Sequence, residues 1–159
     1  MNKVFLGKYV NTHGIKGEIR IKSNFKYKDK VFKIGNEIII DKPYIINSYR
    51  VHKDYDMVTL IGINSINDII HLKNSSVYID RDKYLKFNEY LDEDLISFSV
   101  YSNDLEIGLV SDIRYLNNNK KLLVVKGKLI PFELIENIDL TNKKIYINYV
   151  EGLIWELIF

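Results

Sequence analysis

The sequence predicts an all-β protein built as two small β-barrels, and three observations carry that reading. Short apolar segments alternate with polar residues at the two-residue period of half-buried strands, over both the first eighty residues and the last sixty-five or so. Glycine, asparagine and aspartate clusters punctuate these segments at short intervals. Between the two sets, residues 80–94 are charged and aperiodic. The predicted organisation is a first barrel over residues 1–82, a linker over 83–93 and a second barrel over 94–159.

In chain order, residues 4–21 read as a strand, a glycine turn and a second strand. Val4, Leu6, Lys8 and Val10 are expected on one face, with Phe5, Gly7 and Tyr9 on the other. Gly14 and Gly17 bracket the bend, where positive φ or close backbone approach is needed. Residues 24–33 alternate lysines with aromatics, which reads first as a connection whose rings cap the core and second as a phosphate and base contact. Residues 37–40 form a short apolar strand, 45–53 a long one and 57–61 its partner, with Asp54, Tyr55 and Asp56 as the hairpin tip. Ser65 and Asp68 have capping-box spacing, so Ile66, Ile69, Ile70 and Leu72 are expected to form one face of a short helix. Residues 77–79 supply a last strand, and six antiparallel strands of this length suggest a closed barrel.

The second set restarts at Leu95, with Phe98, Val100 and Leu105 expected inward. Gly108 marks a bulge or bend in the strand that follows. Residues 117–119 and 126–128 are turns, and strands are expected at 121–125, 129–132 and 145–150. Phe132 reads as core beside Pro131, an edge-strand breaker, with an apolar contact to a partner as the second reading. Trp155 reads as packed.

Composition excludes several classes. The chain has 159 residues, 47% of them apolar, enough for real cores, and none is cysteine. Disulfides, thiolate metal sites and cysteine nucleophiles are therefore ruled out, and a reducing cytoplasm is the expected setting. No secretory signal is expected, and no apolar run reaches about 18 residues. His13, His52 and His71 lack metal-ligand spacing, and no nucleophile elbow or phosphate-binding P-loop occurs, so neither catalysis nor a cofactor is expected. The net charge of +2 hides an asymmetry: residues 1–40 hold nine Lys/Arg against three Asp/Glu, and residues 89–112 hold seven Asp/Glu and no Lys/Arg. A basic end suits polyanions and an acidic stretch suits basic proteins.

The segment His13-Gly14-Ile15-Lys16-Gly17-Glu18-Ile19-Arg20 resembles the opening of the RimM family of bacterial ribosome maturation factors. Later segments keep the same order: Leu60-Ile61-Gly62-Ile63, Asp94-Leu95-Ile96, Gly108-Leu109-Val110, residues 122–125, residues 129–132 and Glu151-Gly152-Leu153. The chain departs from the family at Ser97, where glycine is usual, at Ile69-Ile70 and at Tyr90-Leu91. Serine fits position 97 if its φ stays negative.

The resemblance implies a translation-factor-like barrel followed by a PRC-type barrel. It also implies a monomeric, non-enzymatic factor that binds ribosomal protein S19 and nearby 16S rRNA, and that promotes 30S assembly and rRNA processing. On that reading Lys8, His13, Lys16, Arg20 and Lys22 are candidate rRNA contacts. Glu89, Tyr90, Asp92, Glu93, Asp94 and Phe132 are candidate contacts to the ribosomal protein. The alternatives are a small β-barrel enzyme binding a flavin or nucleotide, which visible absorbance would reveal, and an RNA-binding module with no protein partner.

Overall fold

Strand-forming sequence and glycine turns generate two all-β units, residues 1–86 and 87–159. The computed structural model describes residues 1–148 and the strand residues Trp155–Glu156. The expected Tyr149, Val150 and Glu151-Gly152-Leu153 lie outside the described residues. No helix among the described residues is long and apolar enough to cross a membrane.

The first unit is a closed barrel of six strands: β1 (Lys3–His13), β2 (Glu18–Lys22), β3 (Glu37–Ile39), β4 (Pro43–His52), β5 (Tyr55–Leu60) and β6 (Ser76–Asp80). They run around the ring in the order β1-β2-β5-β4-β3-β6. The strict alternation expected along β1 does not hold. Its register shifts between Phe5 and Gly7 against β6, and between Tyr9 and Asn11 against β2. These bulges each insert one residue and turn the following side chains over, so Leu6 and Tyr9 both enter the core. Gly7 sits where the two strands press together: a Cβ there would lie 2.4 Å from the Lys22 carbonyl oxygen.

Short segments seal the barrel. Helix α1 (Lys28–Val31) carries Val31 and the following Phe32 into the core, and Phe32 stacks on Tyr49 with ring centroids 5.4 Å apart. Phe25 packs against the same cluster, so these aromatics cap the core as the first reading held. Residues Ile66–Asp68 and Ile70–Leu72 form two successive 3-10 turns rather than the expected helix. Asp68 Oδ2 accepts the Asn64 and Ser65 backbone N–H groups at 3.0 and 3.1 Å, and only Ile69 is fully buried. Helix α2 (Arg81–Tyr84) follows, with Tyr84 packed against the first core.

The hairpin tip is shorter than expected. Lys53, at φ +55°, and Asp54 make the turn, while Tyr55 and Asp56 belong to β5. Asp56 is 1% exposed and faces inward with Val58 and Leu60. Its carboxylate accepts Lys28 Nζ at 3.1 Å and the Tyr49 hydroxyl at 2.6 Å, which satisfies a charge that burial would otherwise penalise. Together with burial, that carboxylate pushes the Tyr49 hydroxyl far above the ordinary phenol range.

The second unit is a seven-stranded sheet made from β7 (Ser99–Ser102), β8 (Leu105–Tyr115), β9 (Lys121–Val125), β10 (Lys128–Pro131), β11 (Ile135–Asp139), β12 (Lys144–Ile147) and β13 (Trp155–Glu156). Its order is β11-β12-β7-β8-β9-β10-β13, with β12 parallel to β7. Leu95, Phe98, Val100, Val110, Leu123 and Ile145 are among the residues of its core. Gly108 stands at the expected bulge, where the β7–β8 register shifts. Leu105 is 73% exposed rather than inward, because it opens β8 beside the Asn103–Asp104 turn. Ser97 adopts φ +74°, so the condition that made serine acceptable there is not met.

Candidate nucleic-acid interface

The two-residue period of β2, β5 and β4 sends one face of each strand into the core and the other outward. Arg20 on β2, Met57 on β5 and Arg50 on β4 fall in one cross-strand row, and His52 stands across from Tyr55. Met57 is fully buried although Asp56 and Val58 on either side of it face inward. The outer face of these strands is therefore roofed by long side chains, whose stems cover apolar surface while their charged heads reach water.

Charge is concentrated on this face. Arg50 forms a fork with Glu18, Nε to Oε2 at 3.0 Å and Nη2 to Oε1 at 2.6 Å, which holds the Glu18 carboxyl below the usual carboxylate range. Arg20 has no carboxylate partner among the described residues. Its Nη2 donates to His13 Nδ1 at 3.4 Å, and its Nε is buried with no hydrogen-bond partner. The His13 and His52 ring centroids are 6.2 Å apart. Partial desolvation, and then the positive charges of Arg50, Lys53, Arg20 and His13, hold His52 below the ordinary imidazole range. Tyr55 carries Arg20 and Lys22 at 5.5 and 5.7 Å from its ring centroid. Beyond it opens a cleft of about 290 Å³ lined by Lys22, Lys28, Lys53, Tyr55 and Asp56 among others.

The structure thus brings His13, Arg20 and Lys22 onto one region, with Lys8 directly across from Lys22 on the neighbouring strand. Lys16 stands exposed on the turn between β1 and β2, beside Ile15, which is 81% exposed. That turn is fixed from below: the Ile66 N–H donates to the Ile15 carbonyl at 2.8 Å, and Gly17, at φ +86°, lies so close that a Cβ would meet the Ser65 carbonyl oxygen at 2.9 Å. Arg50, His52, Lys53 and Tyr55 were not expected from the sequence to be nucleic-acid contacts. Their signal was there in the outward positions of β4, which alternate Arg50 with His52.

The acidic candidates lie in the second unit. Asp92 accepts Lys121 Nζ at 3.2 Å and the Tyr115 hydroxyl at 3.2 Å. Asp94 accepts the Leu91 N–H at 2.7 Å and so caps the 3-10 turn Asp92–Leu95. Lys121 also lies 4.7 Å from the Phe132 ring centroid, which joins Phe132 and Asp92 through one ammonium group. Phe132 and Tyr90 are partly buried against the second core, Glu89 is half-buried and Glu93 is exposed. Among the described residues, no cluster of three His, Asp or Glu is arranged to hold a metal ion.

Residues 4–84 match the family described as the RimM N-terminal domain. Proteins from two strains of Staphylococcus aureus, each named ribosome maturation factor RimM, are 42% and 41% identical over 166 aligned positions, covering 96% of this chain and 99% of theirs. Among solved structures, a 16S ribosomal RNA processing protein RimM from Pseudomonas aeruginosa is 18% identical with a TM-score of 0.46, covering 94% of this chain and 98% of that one. The N-terminal domain of RimM from Thermus thermophilus is 14% identical with a TM-score of 0.48, covering 55% of this chain and 100% of that one.

Proposed function

Since the chain belongs to the RimM family of ribosome maturation factors, we propose that it acts as a maturation factor for the small ribosomal subunit. The observation that carries this reading is the near end-to-end match to proteins named for ribosome maturation. In detail, the factor binds ribosomal protein S19 and adjacent 16S rRNA in the subunit head and promotes 30S assembly and 16S processing. It works by adhesion, as a cytoplasmic monomer and assembly chaperone, and makes or breaks no covalent bond. The second unit serves as the PRC-type barrel.

The cationic outer face of the first barrel supports the rRNA half of the reading. Lys8, Lys16, Arg20 and Lys22 meet phosphates, which gives affinity and register without reading sequence. The acidic segment supports the protein half. Around the 3-10 turn Glu93 is exposed, while Asp92 and Asp94 shape the turn that presents it. Charge complementarity of this kind speeds and orients docking. Holding RNA and protein on one chain raises the effective concentration of each for the other.

The test uses binding to small-subunit precursors across a salt series. Lys16→Glu with Arg20→Glu is expected to weaken binding and to make its logarithmic salt slope shallower by about two. An unchanged slope removes these residues from the rRNA contact. Glu93→Lys is expected to slow capture of isolated S19, and it spares the turn that Asp92 or Asp94 substitutions would damage.

A further inference from the structure

We propose that Arg20, His13 and His52 form a subsite for a backbone phosphate of single-stranded RNA, and that occupancy of this subsite takes up a proton on the imidazole pair. The inference rests on the rRNA reading above and deepens it by assigning the contact and its chemistry.

Arg20 and Arg50 are paired very differently. Arg50 and Arg20 share a row across β5, yet only Arg50 has a carboxylate, and Glu18 spends both oxygens on it. Arg20 is left with a buried, unpartnered Nε and a long contact to His13. A guanidinium only donates, so His13 Nδ1 is the acceptor there and carries no proton. The groups facing the imidazole pair are Glu18 and Arg20 from β2, Arg50 from β4 and Lys53 from the hairpin, with Tyr55 of β5 across from His52. Apart from the committed Glu18, every charged member of that set is cationic or can become so.

A phosphate oxygen arriving between Arg20 and the two rings changes the balance. It accepts from the guanidinium, releases His13 Nδ1 and offsets the positive field around His52. Protonating an imidazole then adds a donor to the same phosphate. The depressed titration of His52 in the free chain agrees with this, since it leaves the ring neutral and ready to gain charge. Arg20 and Lys22 lie two residues apart on one strand, about 7 Å along it, comparable to the spacing of successive phosphates in an extended nucleic-acid strand. Tyr55 holds both cations against its ring.

The probe is a fluorescent oligouridylate of about ten nucleotides, because neither phosphodiester nor uracil titrates between about pH 5.5 and about pH 8, the range in which histidine does. Anisotropy with the full chain at fixed ionic strength is expected to show roughly tenfold tighter binding at the lower pH, the change that follows when one imidazole titrates about one unit higher in the complex. His13→Gln with His52→Gln is expected to flatten that profile. Proton resonances of His52 are expected to titrate about one unit higher in the saturated complex. A flat profile in the natural chain, an equal profile in the double variant or an unmoved His52 titration overturns the proposal. If any of these occurs while small-subunit precursors still bind with strong salt dependence, the subsite alone is lost. If the precursors do not bind at all, the reading beneath it falls.

Discussion

Ser97 is a residue whose backbone takes a conformation its side chain disfavours. Its φ of +74° puts a side chain in the left-handed region, and its N–H is held to the Val110 carbonyl at 2.7 Å. A Cβ there costs about 1 kcal/mol relative to glycine. Ser97→Gly is therefore expected to stabilise the second unit by about 0.5–1 kcal/mol, read as a higher urea midpoint with an unchanged slope. An unmoved midpoint would mean that serine carries no strain in this turn. The glycine turn after β1 was legible in the sequence because Gly14 and Gly17 mark positive φ directly, and both have it. Position 97 was not, because a serine carries no local mark of the dihedral its neighbours impose. Asp56 was missed for a similar reason. Between Asp54 and Tyr55 on one side and apolar residues on the other it reads as a turn residue, and its partner Lys28 lies far away in the sequence.

At the scale of elements, that carboxylate ties β5 to α1 and β4. Asp56→Ala leaves the partly buried Tyr49 hydroxyl without its acceptor and unpairs Lys28, whose own exposure of 39% softens the loss. The expected destabilisation is about 2–3 kcal/mol by chemical denaturation, with Tyr49→Phe in the same background recovering part of it. A loss below about 0.5 kcal/mol would show that the knot is not needed to hold the elements together. Strand existence was legible for most segments, since the period of two is dictated by burial on one face, but β11 and the two residues of β13 are too short or irregular to show that period and were not expected. Strand phase was not. The β1 bulges and the early turn of Leu105 depend on how neighbouring strands close, which no single segment encodes. The same holds for the basic face: half of it lay in the opening motif, and pairing with β4 and β5 supplied the rest.

Across the whole molecule, the tyrosines set an alkaline limit. Burial, reinforced by Asp41, pushes Tyr44 up to about 12. Burial also raises Tyr9 and Tyr84. A folded phenol that titrates above its unfolded value of about 10 contributes stability that is complete below that pH and is lost as pH climbs through the folded value. Melting temperature is therefore expected to fall steeply between about pH 10 and about pH 12, in step with tyrosinate absorbance. The fall should be larger in the first unit, which holds Tyr9, Tyr44, Tyr49 and Tyr84, and Tyr44→Phe should lessen it. A melting temperature constant across that interval would contradict the burial of these hydroxyls.

The parallel pairing of β12 with β7 sets an order in time. The first barrel closes its ring once residue 80 has been made, because β6 is the last stave that β1 and β3 require. In contrast, β7 must wait for residues 144–147 before its second edge is covered. On a translating ribosome the amino-terminal half is thus free to fold while its companion is still threading out of the exit tunnel. The nascent chain would then present its anion-seeking surface before its acidic one is finished.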